Sequence, residues 1–298
     1  MIIKVRVPAT SANLGAGFDC MGLALTLYNT VTVQTDQPFD IKLSGKYIAG
    51  ITTDKTNLVW QTMCRLWQDT GFPVPSVALA LDNNIPPARG LGSSSAAIAA
   101  GLVAANAIAG APLNKQQILD MADSLEGHPD NVTPAIYGGV TLAIQTDQGV
   151  IPRVLAPAPH IRAVVVVPDI LIKTADARSV LRPEVSRADA VFNIARVGLT
   201  VEAFLTENFT LLHEGMRDRL HQNKRASLIP GLHDTLHAAM NAGAFGAALS
   251  GSGPTLIALC SSGLEAKIGM AMLNAMSKHS VRAEIHVLDI DSSGAQIV

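Results

Sequence analysis

"PPARGLGSSSAAIAAGLVAANAIAG", Pro86 to Gly110, is the stretch on which the fold turns. It opens on a proline pair and ends in a nearly uncharged, alanine-rich run. Between them, Gly90-Leu91-Gly92-Ser93-Ser94-Ser95 is too small and too polar to be core. A glycine-serine loop running into a helix N-terminus suits an anion. The first helical N–H groups lack internal acceptors, and the helix dipole adds partial positive charge there. Glycines let the backbone wrap a phosphate, and serine hydroxyls can donate to its oxygens or join the shell of a magnesium ion. The loop has no lysine for a Walker A motif and does not fit G-x-G-x-x-G. Taken alone, it also fits a glycine-rich turn with a helix cap.

On the N-terminal side, "IIKVRVP" alternates as a half-buried strand, "LALTLYNTVTV" alternates again, and "FDIKLSG" reads as a third strand. "TNLVWQTMCRLWQDTG" has helical spacing and stops at Gly71, and "SVALALDN" is a strand. On the C-terminal side, "PLNKQQILDMADSLEG" carries Asn114 and Gln117 in capping-box spacing and stops at Gly127. "GGVTLAIQT" is a strand. Residues 149–160, "GVIPRVLAPAPH", are proline-rich and non-periodic, and the domain boundary is placed there, dividing the chain into 1–152 and 153–298. The second half opens on the strand "IRAVVVV", runs through helical stretches to about residue 242, and continues with "FGAALSGSGPTLIALC", two strands around a small-residue turn. A helix, "LEAKIGMAMLNAMSK", and a strand, "RAEIHVLDI", complete it. Strands and helices alternate without the regular period of a doubly wound sheet, so the class is α+β.

With 298 residues, 48% hydrophobic and 15% charged, the chain easily builds a sizeable core. A net charge of −2 and the absence of any Lys/Arg run argue against a nucleic-acid partner. The N-terminus lacks a signal-peptide core, and no apolar run is long enough for a membrane span, so a soluble cytoplasmic protein is expected. Cys20, Cys64 and Cys260 are scattered, with no C-x-x-C, as reduced buried thiols would be.

Two further blocks are as unusual as the first. "PATSANLGAGFDCMG", residues 8–22, sets Thr10, Ser11, Asn13 and Asp19 among small residues after a strand; "SGSGPT", Ser250 to Thr255, is a second glycine-serine turn. Together with Pro86–Ala96, which matches P-x-x-x-G-L-G-S-S-x-A, they resemble the three signature motifs of the GHMP kinase superfamily (galactokinase, homoserine kinase, mevalonate kinase, phosphomevalonate kinase). Within it, "PATSANLGAGFDCMGLAL", "EGHPDNVTPAIYGG" (126–139) and "KTADARSVL" (173–181) resemble the homoserine kinases. The resemblance implies an N-terminal domain like domain 2 of ribosomal protein S5 and a ferredoxin-like C-terminal domain, with ATP and substrate between them. It also implies the threonine branch of amino-acid biosynthesis, and dimers are common among the relatives.

The same resemblance implies site residues. Pro87, Ala88, Arg89, Gly90, Leu91, Gly92, Ser93, Ser94 and Ser95 form the ATP loop, Asn57 lies where the family meets adenine, and Ser94 and Glu126 match magnesium positions. A substrate carboxylate wants a guanidinium that binds it through two parallel hydrogen bonds; Arg178 and Arg225 match by motif. Asp19 would take the ammonium of L-homoserine, with Asn13, Asn131 and, more weakly, His128 beside it. Each type also has an ordinary use: Asp19 in a turn, Asn13 and Asn57 as helix caps, Glu126 as an exposed carboxylate, Arg225 as a solvated surface charge.

One departure bears on mechanism. Mevalonate and galactose kinases resemble each other in an Asp seven residues before the double glycine. Here that position is Asn131, which cannot accept a proton. Asp130 is adjacent and is expected to point elsewhere. Phosphoryl transfer without a protein base is therefore expected, carried by positioning and electrostatics. A mevalonate- or sugar-type kinase and a non-catalytic nucleotide-binding relative stand as the other two readings. "HDTLH" puts His233 and His237 four apart without a third ligand, an ordinary exposed pair. Met270, Met272 and Met276 read as core.

Overall fold

The computed structural model describes residues 1–156 and 160–298. In chain order the elements are β1 (Ile2–Ala12), β2 (Met21–Thr35), β3 (Asp40–Ser44), α1 (Leu58–Asp69), β4 (Val77–Asp82), α2 (Ser93–Ile108), α3 (Lys115–Glu126), α4 (Pro129–Tyr137), β5 (Val140–Thr146), β6 (Gly149–Ala156) and β7 (Arg162–Pro168). They continue with α5 (Thr174–Ser179), α6 (Arg187–Thr206), α7 (Leu212–Gly215), α8 (Gln222–Arg225), α9 (Leu232–Ala242), β8 (Gly246–Leu249), β9 (Leu256–Cys260), α10 (Glu265–Ser277), β10 (Ala283–Leu288) and β11 (Gln296–Ile297).

Two sheets organise these elements. The first runs β11-β1-β2-β4-β3, with β5 pairing to β2 and β6 to β5. The second runs β10-β7-β9-β8, all antiparallel. Relabelled by order within the second lobe, that sequence is 4-1-3-2 with helices between its first and second and its third and fourth strands, which is the ferredoxin-like plan. The architecture is thus α+β with two lobes.

Alternation decides the early strands. Val5, Val7 and Ala9 of β1 face the core at 0% exposure while Lys4 and Arg6 do not. β1 runs further than the alternation suggests, through "PATSA", whose Thr10 and Ser11 are buried. α2 is buried on most of its circumference, packing on α1, α3, α4 and β1. This explains why it is apolar all round rather than striped. Asn114 caps α3 in a full capping box with Gln117, and Gly127 ends the helix in the left-handed conformation. That stop fixes where Glu126 emerges.

The 149–160 segment differs from the expected linker. Residues 149–156 are strand β6, in register with β5, so a division at 152 falls inside a strand of the first sheet. Residues 157–159 lie outside the described residues. The strand was hidden by Pro152, which is tolerated because β6 pairs only with β5 and is an edge. The chain end also returns to the first sheet, through β11 on β1 and a bridge from Ile290 to Leu25. Of the three methionines read as core, Met272 and Met276 are buried and Met270 is half exposed. Among the described residues no helix is long and apolar enough to cross a membrane.

Candidate active site

The three unusual sequence blocks meet. Thr10 N donates to Leu91 O at 3.1 Å, Gly251 N to Ala12 O at 3.1 Å, and Ser250 Oγ to Gly90 O at 2.6 Å and Ser11 Oγ at 2.8 Å. The glycine-serine loop is therefore wedged between the end of β1 and the β8–β9 turn. Small residues are needed for this reason. Gly92 has φ +67°, and a Cβ there would overlap Thr10 Oγ1; one on Gly90, at φ +76°, would overlap Ser250 O. Gly92 also caps α2 without any side-chain bond, so the first N–H groups of this 16-residue helix are left to the space in front of them.

That space is a cavity of about 290 Å³. On one wall lie Ala88, Arg89, Gly90, Gly92, Ser93, Ser94 and Glu126; on the other lie Asn13, Asp19, His128, Asp130, Asn131, Arg178 and Arg225. A second cavity, about 320 Å³, shares Ala88, Ser93 and Ser94 and is lined by Asn57, Leu58, Val59, Leu81, Pro87 and residues 50–52. Leu91 and Ser95 line neither. Leu91 is core, and Ser95 is buried and donates to Glu126 Oε1 at 2.9 Å. Asn57 caps α1: its Oδ1 accepts from Val59 N at 3.0 Å, and its Nδ2 donates to Thr52 O at 2.7 Å. Arg89 turns from the loop to the second lobe, donating to Pro168 O and, at 2.9 Å, to Asp169 Oδ1.

Ser94 Oγ donates to Glu126 Oε2 at 3.0 Å. The pair offers hard oxygens at the mouth of the anion-binding helix, a donor set that suits magnesium. Among the described residues no group of three or more His, Cys, Asp or Glu could hold a metal alone, so further ligands would come from phosphate and water.

On the opposite wall, Arg178 donates to both oxygens of Asp19, at 3.0 and 2.9 Å. Asn13 fixes Asp19 by accepting from its N–H at 3.0 Å, while its own Nδ2 donates to Gly251 O at 3.1 Å. Arg225 is buried at 2% exposure, not solvated. It donates to Ala177 O at 3.1 Å and Gly251 O at 3.0 Å, and its Nη1 meets His221 Nδ1 at 3.2 Å. Burial pulls its pKa down to about 10, with Arg178 adding to the effect, so it remains a cation at neutral pH. Asn131 Oδ1 accepts from Thr10 Oγ1 at 2.8 Å.

Asp130 does not point away. It lines the same cavity, buried, with Oδ1 accepting from Asn131 Nδ2 at 3.3 Å and facing His128 Nδ1 at 2.8 Å. Burial lowers the His128 pKa, but the Asp130 hydrogen bond and the charges of Asp130 and Glu126 outweigh it, and the net direction is up. Cys20 is held as a thiol at neutral pH. Burial, then the charges of Asp130 and Asp19, raise its pKa to about 11.

Residues that sequence reasoning passed over hold the substrate wall from behind. His221 is fully buried; its Nε2 meets Gly15 O at 2.9 Å and its ring stacks on Phe18 at 5.1 Å. Asp218 accepts from the N–H groups of Leu220, His221 and Gln222, and Asn193 Nδ2 donates to Asp218 and to Ala16 O. None of these sits in a motif. His221 and Asn193 act through contact with the distant 15–16 segment, for which the local sequence has no signal.

A two-lobed fold with a glycine-serine anion loop at a helix N-terminus and a polar, charge-paired wall opposite defines a small-molecule phosphotransferase. The family model "GHMP kinases N terminal domain" matches residues 57–139, and "GHMP kinases C terminal" matches 200–278. The chain belongs to the GHMP kinase family. It is 54% identical to the homoserine kinase of Desulfitobacterium hafniense over 297 residues, covering 100% of both chains. The crystal structure of homoserine kinase from Cytophaga hutchinsonii superposes with a TM-score of 0.88 at 29% identity, covering 100% of this chain and 97% of that one. Mevalonate kinase of L. major, in complex with R-mevalonate, shares the fold at a TM-score of 0.74 and 17% identity, covering 97% and 95%.

Proposed function

We propose that the protein transfers the γ-phosphoryl group of ATP to the side-chain hydroxyl of L-homoserine, giving O-phospho-L-homoserine and ADP. The observation that carries this reading is the Arg178–Asp19 pair, with Arg225 behind it, in the same cavity as the glycine-serine loop. Adjacent positive and negative groups complement the carboxylate and ammonium of an amino acid; mevalonate offers a carboxylate but no ammonium for Asp19, and a neutral sugar offers neither. The full-length likeness to homoserine kinases supports the same substrate.

ATP sits with its phosphates on residues 86–95, where the uncapped N–H groups of α2 and the hydroxyls of Ser93 and Ser94 meet the triphosphate. The base lies in the second, more apolar cavity, bounded by Leu58, Val59 and Leu81. Asn57 shapes that cavity through its cap and its bond to Thr52, not by a free amide. Magnesium would be held by Ser94 and Glu126, where it supplies charge neutralisation for the transferring phosphoryl group. In homoserine, Arg178 and Arg225 take the carboxylate, Asp19 the ammonium, and Asn13 and Asn131 hold the chain in line. The hydroxyl oxygen bonds to the γ-phosphorus as the bond to the ADP oxygen breaks, and the proton leaves late, to a phosphate oxygen or solvent. Asp130 is engaged by His128 and Asn131, and it acts in this scheme by fixing both.

Release of ADP, measured with Mg-ATP and L-homoserine, mevalonate, galactose or no acceptor, tests the assignment. Turnover with homoserine alone is expected. Turnover with another acceptor would keep the nucleotide loop and discard the substrate wall. ATP binding without turnover on any acceptor would favour a non-catalytic relative.

A further inference from the structure

Residues 45–57, between β3 and α1, form no helix or strand, yet Gly50, Ile51, Thr52 and Thr56 wall the second cavity. The far end of this segment is held within its own lobe by Asn57 on Thr52 O and by Asp54, which accepts from Thr56 N at 2.8 Å. Its near end is held on β4's end, Tyr47 N donating to Asn83 O at 2.9 Å and Lys46 N to Asn84 Oδ1 at 3.2 Å. Between these ends, among the described residues, one backbone bond, Ile51 N to Ile48 O at 3.3 Å, shapes the turn that meets the cavity.

The near end is also tied to the other lobe. Lys46 Nζ at 2.5 Å and Tyr47 Oη at 3.0 Å both donate to Glu284 Oε2, on β10 at the edge of the second sheet. Lys46 Nζ lies 5.1 Å from the Tyr47 ring centroid, so the three side chains fix one another. A lone exposed ion pair contributes little. Here one carboxylate oxygen gathers two donors from consecutive residues, at the root of an irregular segment with few other bonds to set its shape.

We propose that Glu284 is a positioning residue for nucleotide binding. By anchoring Lys46 and Tyr47 it sets residues 50–52 against the nucleobase and couples that wall to the second lobe. This rests on the assignment of the second cavity to the base of ATP. Glu284 shares a cavity with Arg89 of the phosphate loop, but its hydrogen bonds among the described residues go to Lys46 and Tyr47, so its effect is expected on nucleotide affinity.

The experiment compares Glu284→Gln, Tyr47→Phe, their double variant, and Ala97→Phe, which intrudes on the cavity itself, by calorimetric Kd for a non-hydrolysable ATP analogue and by kcat and both KM values. Glu284→Gln should weaken nucleotide binding about three- to tenfold, the scale of one charge-assisted network lost at a partly exposed site, with kcat and homoserine KM unchanged. The double variant should be no worse than the Glu284→Gln single, because both remove one network. Unchanged nucleotide affinity in Glu284→Gln, with Ala97→Phe strongly weakened, would overturn the anchoring role and leave the cavity assignment standing. Unchanged affinity in Ala97→Phe would overturn the cavity assignment and the proposal with it. A parallel fall in kcat and in affinity for both substrates would mark general loosening of the fold and also reject the proposal.

Discussion

Asn131 stands where the resemblance places an aspartate in mevalonate and galactose kinases, and its surroundings bear on the proposed transfer without a protein base. Thr10 fixes its oxygen and Asp130 accepts from its nitrogen, so the side chain has one orientation. Asp130 is the carboxylate nearest to it by sequence and lines the same cavity, which makes it the first group to test against a base-free mechanism. Asp130→Asn should keep substantial turnover, with a loss of about tenfold or less from a loosened Asn131, since positioning and electrostatics carry most of phosphoryl transfer. Asn131→Asp should not raise kcat. Abolished turnover in Asp130→Asn with homoserine affinity intact would instead make Asp130 the base. His221 gives a second residue-level test. It is fully buried, and burial lowers its pKa below the ordinary 6.5, Asp218 opposing and Arg225 adding to the effect. In the unfolded chain it takes a proton as pH falls through about 6.5, whereas in the folded protein it stays neutral to a lower pH. The linked stability is therefore present above that value and lost as pH falls toward the folded pKa. Thermal denaturation between about pH 7 and pH 5 should show a shallower loss in His221→Gln than in the parent, after allowance for a lower starting Tm.

At the level of elements, the site is three loop ends brought to the N-terminus of one helix, and their tolerance to change differs sharply. Gly92→Ala must move Thr10 and also holds alanine at φ +67°. Its expected result is a loss of at least 1 kcal/mol of stability and a fall in kcat/KM of more than about a hundredfold, since the phosphate loop itself shifts. Asn114→Ala removes the capping box of α3, far from the loop, and should cost about 1 kcal/mol in denaturant unfolding while leaving KM for ATP unchanged. Equal activity losses in the two variants would mean that helix stability, not loop geometry, limits function. The sequence made much of this level legible. Alternation marked β1 and β2, short apolar runs were read as β3 to β5, the capping box marked α3, and the glycine-serine run marked the start of α2. α4 was not marked, because its nine residues begin at Pro129, contain Pro134, and are buried on nearly every side, leaving no polar face to create a period. β6 was masked by Pro152, and α5, which carries Arg178, is only six residues long. At the site, motif residues were legible as types in a pattern. Their partners were not: His221 and Asn193 are defined by contacts with Gly15 and Ala16, 206 and 177 residues away, and Asp218 by its bonds to Asn193 and to the backbone N–H of His221.

For the whole molecule, the question is whether two lobes behave as two units. Each sheet has its own apolar layer, and the smaller of the two core clusters gathers Val164, Val166, Leu256, Ala258 and Met272 within the second lobe. The larger cluster does not respect that division: it joins Val5, Leu23 and Leu102 to Val165, Phe204, Ile257 and Leu259. The chain end adds to the joint. Asp291 accepts from Tyr28 Oη at 2.8 Å and from Ser293 and Gly294 N–H groups, its own N–H donates to Ala24 O at 3.0 Å, and its carbonyl accepts from Gly139 N at 2.6 Å. Burial, then this hydrogen bond, raise the Tyr28 pKa to about 12, so the phenol stays a donor through the neutral range. With a shared core and a shared strand end, exposing one sheet strips the other of part of its apolar cover, and a half-unfolded state gains chain entropy while losing burial on both sides. Unfolding should therefore be cooperative across the lobes. The protein offers a direct check, because both tryptophans, Trp60 and Trp67, sit on α1 in the first lobe, while far-ultraviolet circular dichroism reports both. In urea the two signals should give coincident midpoints. Asp291→Ala, which unties the chain end, should lower the unfolding free energy by about 1–3 kcal/mol, the cost of a lost buried partner, and the midpoint with it. It should also separate the two curves, if the tie is what makes the lobes one unit. Separate transitions already in the parent protein would show that the shared core is too weak to couple the lobes.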